Sequence, residues 1–177
     1  MLQRLDKIAE RVESFVHLIG RVFSWAAILL VFTIIVQVVL RYVFSRDLIA
    51  LGELQWHFYA VMVMISLAYS QLENAHVRVD VLHRFFSPRA KQIIEITGIV
   101  VFLLPLIAIV FWYGCQFTGN SYRIGEVSPS PGGMPWRWAI KAFIPIGALL
   151  LFVSSIARVI RLLAGSVTAE GEQQIAD

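Results

Sequence analysis

The chain has 177 residues, of which 58% are hydrophobic and 15% charged, with a formal net charge of +3 and a mean hydropathy of +0.73. Soluble domains are roughly a quarter charged, so this composition excludes a soluble enzyme or carrier and indicates one integral membrane domain spanning residues 1–177. The basic residues flank apolar runs instead of interleaving with exposed aromatics, which excludes a nucleic-acid partner. The single cysteine, Cys115, excludes an internal disulfide and a multi-cysteine metal site, and is expected to be a small buried apolar residue.

Residues 1–20 hold Asp6, Glu10 and Glu13 and no compact apolar core before a cleavage site, so they do not read as a signal peptide. Leu5, Ile8, Val12, Phe15 or Val16, and Ile19 recur at helical spacing opposite Lys7, Arg11 and Ser14. This predicts an amphipathic helix in the inner interface; the alternative is a continuation of the first span. A bilayer core of about 30 Å takes about 20 apolar residues, and four runs meet that length: 22–40, 53–72, 92–118 and 138–163. Ser87-Pro88 reads as an N-cap followed by proline at the first helical position. Pro105 and Pro145 fall inside spans and predict kinks, and Gly147 a close helix contact. Lys141 is expected to snorkel outward near the start of the fourth span. The polar segment 166–177 predicts a flexible tail.

The segment 73–91 is basic and lies between two membrane-length runs, which marks it as a cytoplasmic loop. With both termini inside, ten of the fifteen Lys and Arg residues fall on the inner side, and five on the outer: Arg41, Arg46, Arg123, Arg137 and Lys141. The expected fold is therefore an all-α membrane protein of four transmembrane helices with N and C termini cytoplasmic. Of its outer loops, 42–52 is short, whereas 119–137 contains Gly125, Pro129, Pro131, Gly132, Gly133 and Pro135 and must turn tightly.

The chemistry on offer is sparse. Glu53, Glu73 and Glu95 lie at span ends. Thr33, Gln37 and Arg41 form one line on the first span, and Gln55, Tyr59, Ser66, Ser70 and Glu73 a stripe on the second. Such stripes favour helix–helix hydrogen bonding over a substrate path, which would need buried charge. Arg78 and Asp80, in HVRVDVL from His76, read either as an interfacial helix or as docking groups for a partner. The histidines, His17, His57, His76 and His83, lie at incompatible depths for one haem iron. No nucleotide loop, nucleophile triad or pair of catalytic carboxylates appears, so no catalytic, metal or cofactor site is expected.

Glu53 opening the second span, HVRVDVL from His76, EVSPSPGGMP from Glu126 and RWAIKAFIPIGALLL from Arg137 together resemble the small membrane subunit of tripartite ATP-independent periplasmic (TRAP) transporters, the DctQ-like family. The likeness runs from about residue 41 to 161 and rests on the order of motifs that are individually weak. The resemblance implies a bacterial inner-membrane protein with two partners: a large polytopic membrane subunit, which carries an organic acid or similar solute by a sodium-coupled elevator motion, and a periplasmic substrate-binding protein. Sodium ions would then belong to the large subunit. This chain would be a non-catalytic scaffold, contacting the large subunit through Thr33, Gln37, Gln55, Tyr59, Ser66, Arg78 and Asp80. Arg46, Glu53, Arg123, Glu126 and Arg137 would meet the receptor. Two rivals come from other classes: a self-sufficient four-helix transporter acting as a dimer, and a membrane cytochrome subunit.

Overall fold

A computed structural model describes residues 2–72 and 87–176, with side chains over 11–72 and 89–163. The described residues form helices and no strand: α1 (Leu2–Phe23), α2 (Trp25–Val43), α3 (Ile49–Leu72), α4 (Pro88–Thr97), a π-helical turn (Gly98–Leu103), α5 (Leu104–Arg123), α6 (Arg137–Lys141) and α7 (Phe143–Ala176). Four stretches are long and apolar enough to cross a membrane: Arg11–Val43, Ile49–Leu72, Arg89–Arg123 and Arg137–Leu163. They contain the four expected spans, each longer than its apolar run. The loop positions Arg78 and Asp80, with the rest of 73–86, lie outside the described residues.

The first crossing differs most from expectation. α1 and α2 are nearly one helix, parted at Ser24, whose N–H still bonds the Gly20 carbonyl at 2.9 Å. The Ser24 hydroxyl donates back to Arg21 O at 2.7 Å, a contact that bends helices. Val16 is 1% exposed and packs with Ile65, Ala68 and Leu150, flanked by Ile19 and Phe23. The second half of α1 thus lies between α3 and α7, so here it continues the first span. An apolar stripe that could face headgroups faces protein instead.

The prolines act locally. Pro105 lacks an N–H, and the turn before it widens, so that the Leu104 N–H reaches Ile99 O, five residues back. This is a π-bulge. Pro145 sits in the first turn of α7, where a backbone N–H would have no partner within that helix; the break falls at Ala142, between α6 and α7. Ser87 caps α4 as expected, accepting from the Ala90 N–H at 3.3 Å with Pro88 at the first helical position. α7 continues as helix to Ala176, where the sequence predicted a flexible tail from 166. Ala, Glu and Gln, good helix formers, dominate that segment. Cys115 is exposed, not buried. It lies on the outward face of α5, whereas its neighbour Gly114 packs against Ile144 and Pro145.

Small residues set the helix spacing, as expected where lipid tails remove any hydrophobic drive between helices. A Cβ built on Gly147 would stand 2.9 Å from both Cβ and the carbonyl oxygen of Met64, so α3 and α7 touch backbone to backbone there. Ser154 and Ser155 are fully buried, donating to Leu150 O at 2.8 Å and Leu151 O at 2.7 Å. Gly147→Val should force the helices apart and lower stability by about 1–3 kcal/mol. A fall in the melting temperature of the detergent-solubilised protein would show it, and an unchanged melt would contradict the close packing.

Candidate functional site: a loop wound around Glu53

Glu53 lies in the second turn of α3, and its carboxylate holds the long loop between α5 and α6. Oε2 accepts the Met134 N–H at 2.6 Å, and Oε1 accepts the Ser128 hydroxyl. The loop closes on itself through Ser128 N–H to Met134 O at 3.2 Å, Gly133 N–H to Ser130 O at 3.0 Å, and Ser130 N–H to Ser128 Oγ at 3.2 Å. Gly133 has no room for a side chain: a Cβ would meet Ser128 at 2.4 Å and Glu53 Oε1 at 2.9 Å. Gly132, with φ +75°, takes the left-handed turn that the winding needs. The segment SPSPGGM is therefore a cradle for one carboxylate.

A second acid fixes the start of the loop. The Glu126 carboxylate pairs with the Lys141 ammonium, which also lies 3.9 Å from the centre of the Phe117 ring. The Lys141 side chain thus turns toward the loop. Glu126 N–H bonds Ser121 O at 3.0 Å, and Arg137 N–H bonds Glu126 O at 3.3 Å. Tyr122 and Trp138 meet edge to face at 5.4 Å. Arg46 and Arg123 are exposed and Arg137 half-buried. The Lys141 ammonium first, then the Ser121 hydroxyl and last the Arg137 charge hold the Glu126 carboxyl below its ordinary value of 4.5.

The polar stripes of the first two crossings meet each other. Gln55 Nε2 donates to Thr33 O at 3.2 Å and to Gln37 Oε1, and Gln37 Nε2 donates to Asp47 Oδ1 at 3.1 Å. Thr33 is buried and bonds Leu30 O at 2.8 Å. These amides join α2 to α3 inside the chain. Tyr59 is outward, edge to face with exposed Trp56 at 6.1 Å. Ser66 is also exposed, and its hydroxyl donates to Val63 O at 3.0 Å.

At the opposite end of the bundle Arg158 Nε donates to Glu95 Oε1 at 2.9 Å, and Arg161 pairs with Glu13. These cross-chain pairs were missed in the sequence, where Glu95 could be placed only at a span end. The Glu13–Arg161 pair sets the start of the first crossing beside the end of the fourth. Between Glu95 and Phe117, 22 residues apart, about 33 Å of helix carries no charge. That length matches the hydrocarbon core. His57 donates through Nδ1 to Glu53 O at 2.6 Å, whereas His17 packs on Tyr69 at 5.2 Å near the other end. Among the described residues no three potential ligands group as a metal site would require.

Four helices long and apolar enough to cross a membrane, with paired charges toward their ends, describe a multi-pass membrane protein. Residues 30–165 match the family model described as "Tripartite ATP-independent periplasmic transporters, DctQ component". The match covers most of the chain, which therefore belongs to that family and is the small membrane component of a TRAP transporter. No curated protein and no solved structure matches it.

Because Glu126 titrates lower when folded than when free, its pairing supports the loop above pH 4.5. That support is lost as the pH falls through the lowered folded value. Acidification should therefore shift the fluorescence of Trp136 and Trp138 reversibly, and Lys141→Gln should move the transition toward the ordinary carboxylate value. An unmoved transition would show that Lys141 does not hold Glu126.

Proposed function

We propose that this chain is the non-catalytic scaffold of a sodium-coupled TRAP transporter for an organic acid or similar small solute. It braces the large elevator subunit in the bacterial inner membrane and offers a landing surface to the periplasmic substrate-binding protein. The observation that carries the proposal is the Glu53-held loop, a surface already ordered before any partner arrives. Preorganisation of this kind lowers the entropy lost on docking. The excess of basic residues on the 73–91 side supports an orientation with both termini in the cytoplasm and the Glu53 loop in the periplasm.

Within that reading Arg46, on the segment between α2 and α3, and Arg123, Glu126 and Arg137, at the long loop, act on encounter rate and partner choice. Glu53 stands behind them as a positioning residue. The outward α3 face with Tyr59 and Ser66 is the surface offered to the large subunit, Thr33, Gln37 and Gln55 stiffening it from within, and Arg78 and Asp80 extend the contact on the cytoplasmic side. The sodium ions are bound by the large subunit, and this chain needs no cofactor.

Glu53→Ala should free the Met134 N–H and raise its hydrogen exchange about tenfold or more. Receptor-dependent uptake into proteoliposomes should fall, while the variant still co-purifies with the large subunit. Uptake by this chain alone, or full receptor-dependent uptake with the loop loosened, would refute the scaffold reading.

A further inference from the structure

Where α1 passes into α2 a cleft of about 420 Å³ opens against α3, a volume within the range of small-molecule sites. Its apolar wall is made by Ala27, Met62 and Ile65, and Arg21, His17 and Tyr69 line it as well. Of its three hydroxyls, those of Ser24 and Ser66 are spent on their own helices, on Arg21 O and Val63 O. The cleft is therefore apolar along Ala27, Met62 and Ile65, with the Arg21 cation at the end where His17 and Tyr69 meet edge to face.

The register fixes the depth of that cation. Gln37 faces Gly52, Thr33 faces Gln55 and Gly20 faces Tyr69, an antiparallel sequence that sets Arg21 beside Ala68. Ala68 is four residues, about 6 Å, from the end of α3 at Leu72. Glu53 and Leu72 are in turn separated by about 28 Å, a hydrocarbon thickness. Arg21 therefore lies just inside one edge of the bilayer. Arg158, Arg161 and Lys141 each have a carboxylate partner, whereas among the described residues no carboxylate pairs with Arg21. The outward residues around it, Leu18, Val22 and Trp25, are exposed and apolar, so the cleft opens toward lipid. A guanidinium at this depth, with no carboxylate partner among the described residues, is a ready counter-charge for an anionic headgroup.

We propose that this cleft is a binding site for an anionic phospholipid, with the phosphate on Arg21 and an acyl chain along Ala27, Met62 and Ile65. Basic pockets between membrane helices take anionic headgroups in this way. The inference rests on membrane embedding; Ser66 sets the cleft at the border of the α3 face that the scaffold reading gives to the large subunit, so the lipid would lie along that border.

Native mass spectrometry of the delipidated full chain tests it, with dioleoyl phosphatidylglycerol titrated against dioleoyl phosphatidylcholine. The wild type should retain phosphatidylglycerol about fivefold better, the effect of one basic residue near an anionic headgroup. Arg21→Gln should abolish that preference, Arg41→Gln should leave it intact, and Ala27→Trp, which fills the cleft, should lower retention of both lipids. Equal retention of the two lipids by the wild type, an undiminished preference in Arg21→Gln, or full displacement by inorganic phosphate would each overturn the proposal. Should Arg21→Gln lose its helical circular dichroism, Ala27→Trp decides: unchanged lipid retention would sink the site.

Discussion

A charge at the edge of a bilayer has no cheap place to go, and most of this architecture follows from how the chain pairs such charges. Glu53 takes its hydrogen bonds from Ser128 and Met134, Glu126 from Lys141, Glu95 from Arg158 and Glu13 from Arg161. Each contact joins segments far apart in sequence. An exposed ion pair contributes little to stability, but near hydrocarbon the alternative to pairing is an uncompensated charge. The pairs therefore specify position more than they supply energy. They fix the depth of α7 against α1 and α4, and they decide where the Gly/Pro-rich loop comes to rest.

Between the belts the bundle is held by closeness. Gly147 on Met64 and Gly114 on Ile144 and Pro145 bring backbones together, and Ala68, Ser154 and Ser155 are wholly enclosed. The large apolar side chains point the other way: Phe32, Phe102 and Trp112 are well exposed on the outside of the bundle. In water this distribution would be inside out. In a membrane the outer face meets lipid or a partner helix, and packing of small residues supplies what the hydrophobic effect cannot.

The elements whose signal is local were legible in the sequence. Four runs of sufficient length named the crossings, Ser87-Pro88 named the start of α4, and the glycines and prolines after Gly119 named a tight loop. Contacts that depend on residues 75 or 81 positions apart, as Glu53 with Ser128 and Met134 are, leave no local trace. The α1 stripe was visible, but Val16 reads the same whether it faces headgroups or α3. Gln37 and Gln55 were correctly expected to bond between helices; that they bond each other depends on the α2–α3 register. The widened turn before Pro105 and the exposure of Cys115 were hidden for a related reason, since composition does not say which face of a helix meets protein when both faces are apolar.

The same constraints bear on what the chain can do in a transporter. A helix that carried solute would have to slide or rock against its neighbours. Here α7 is tied to α4 by Glu95–Arg158, to α1 by Glu13–Arg161 and to α3 by the Gly147–Met64 contact. Displacing it by even one turn would break an ion pair at the membrane edge and drive the Met64 backbone against a bulkier neighbour than Gly147. At the other end the loop is tied to α3 by two hydrogen bonds that it donates to one carboxylate, so a force applied to the loop is delivered to α3, the helix that also contacts α2 and α7. A body cross-linked at both faces in this manner resists shear throughout its thickness, the property that the proposed scaffold role requires.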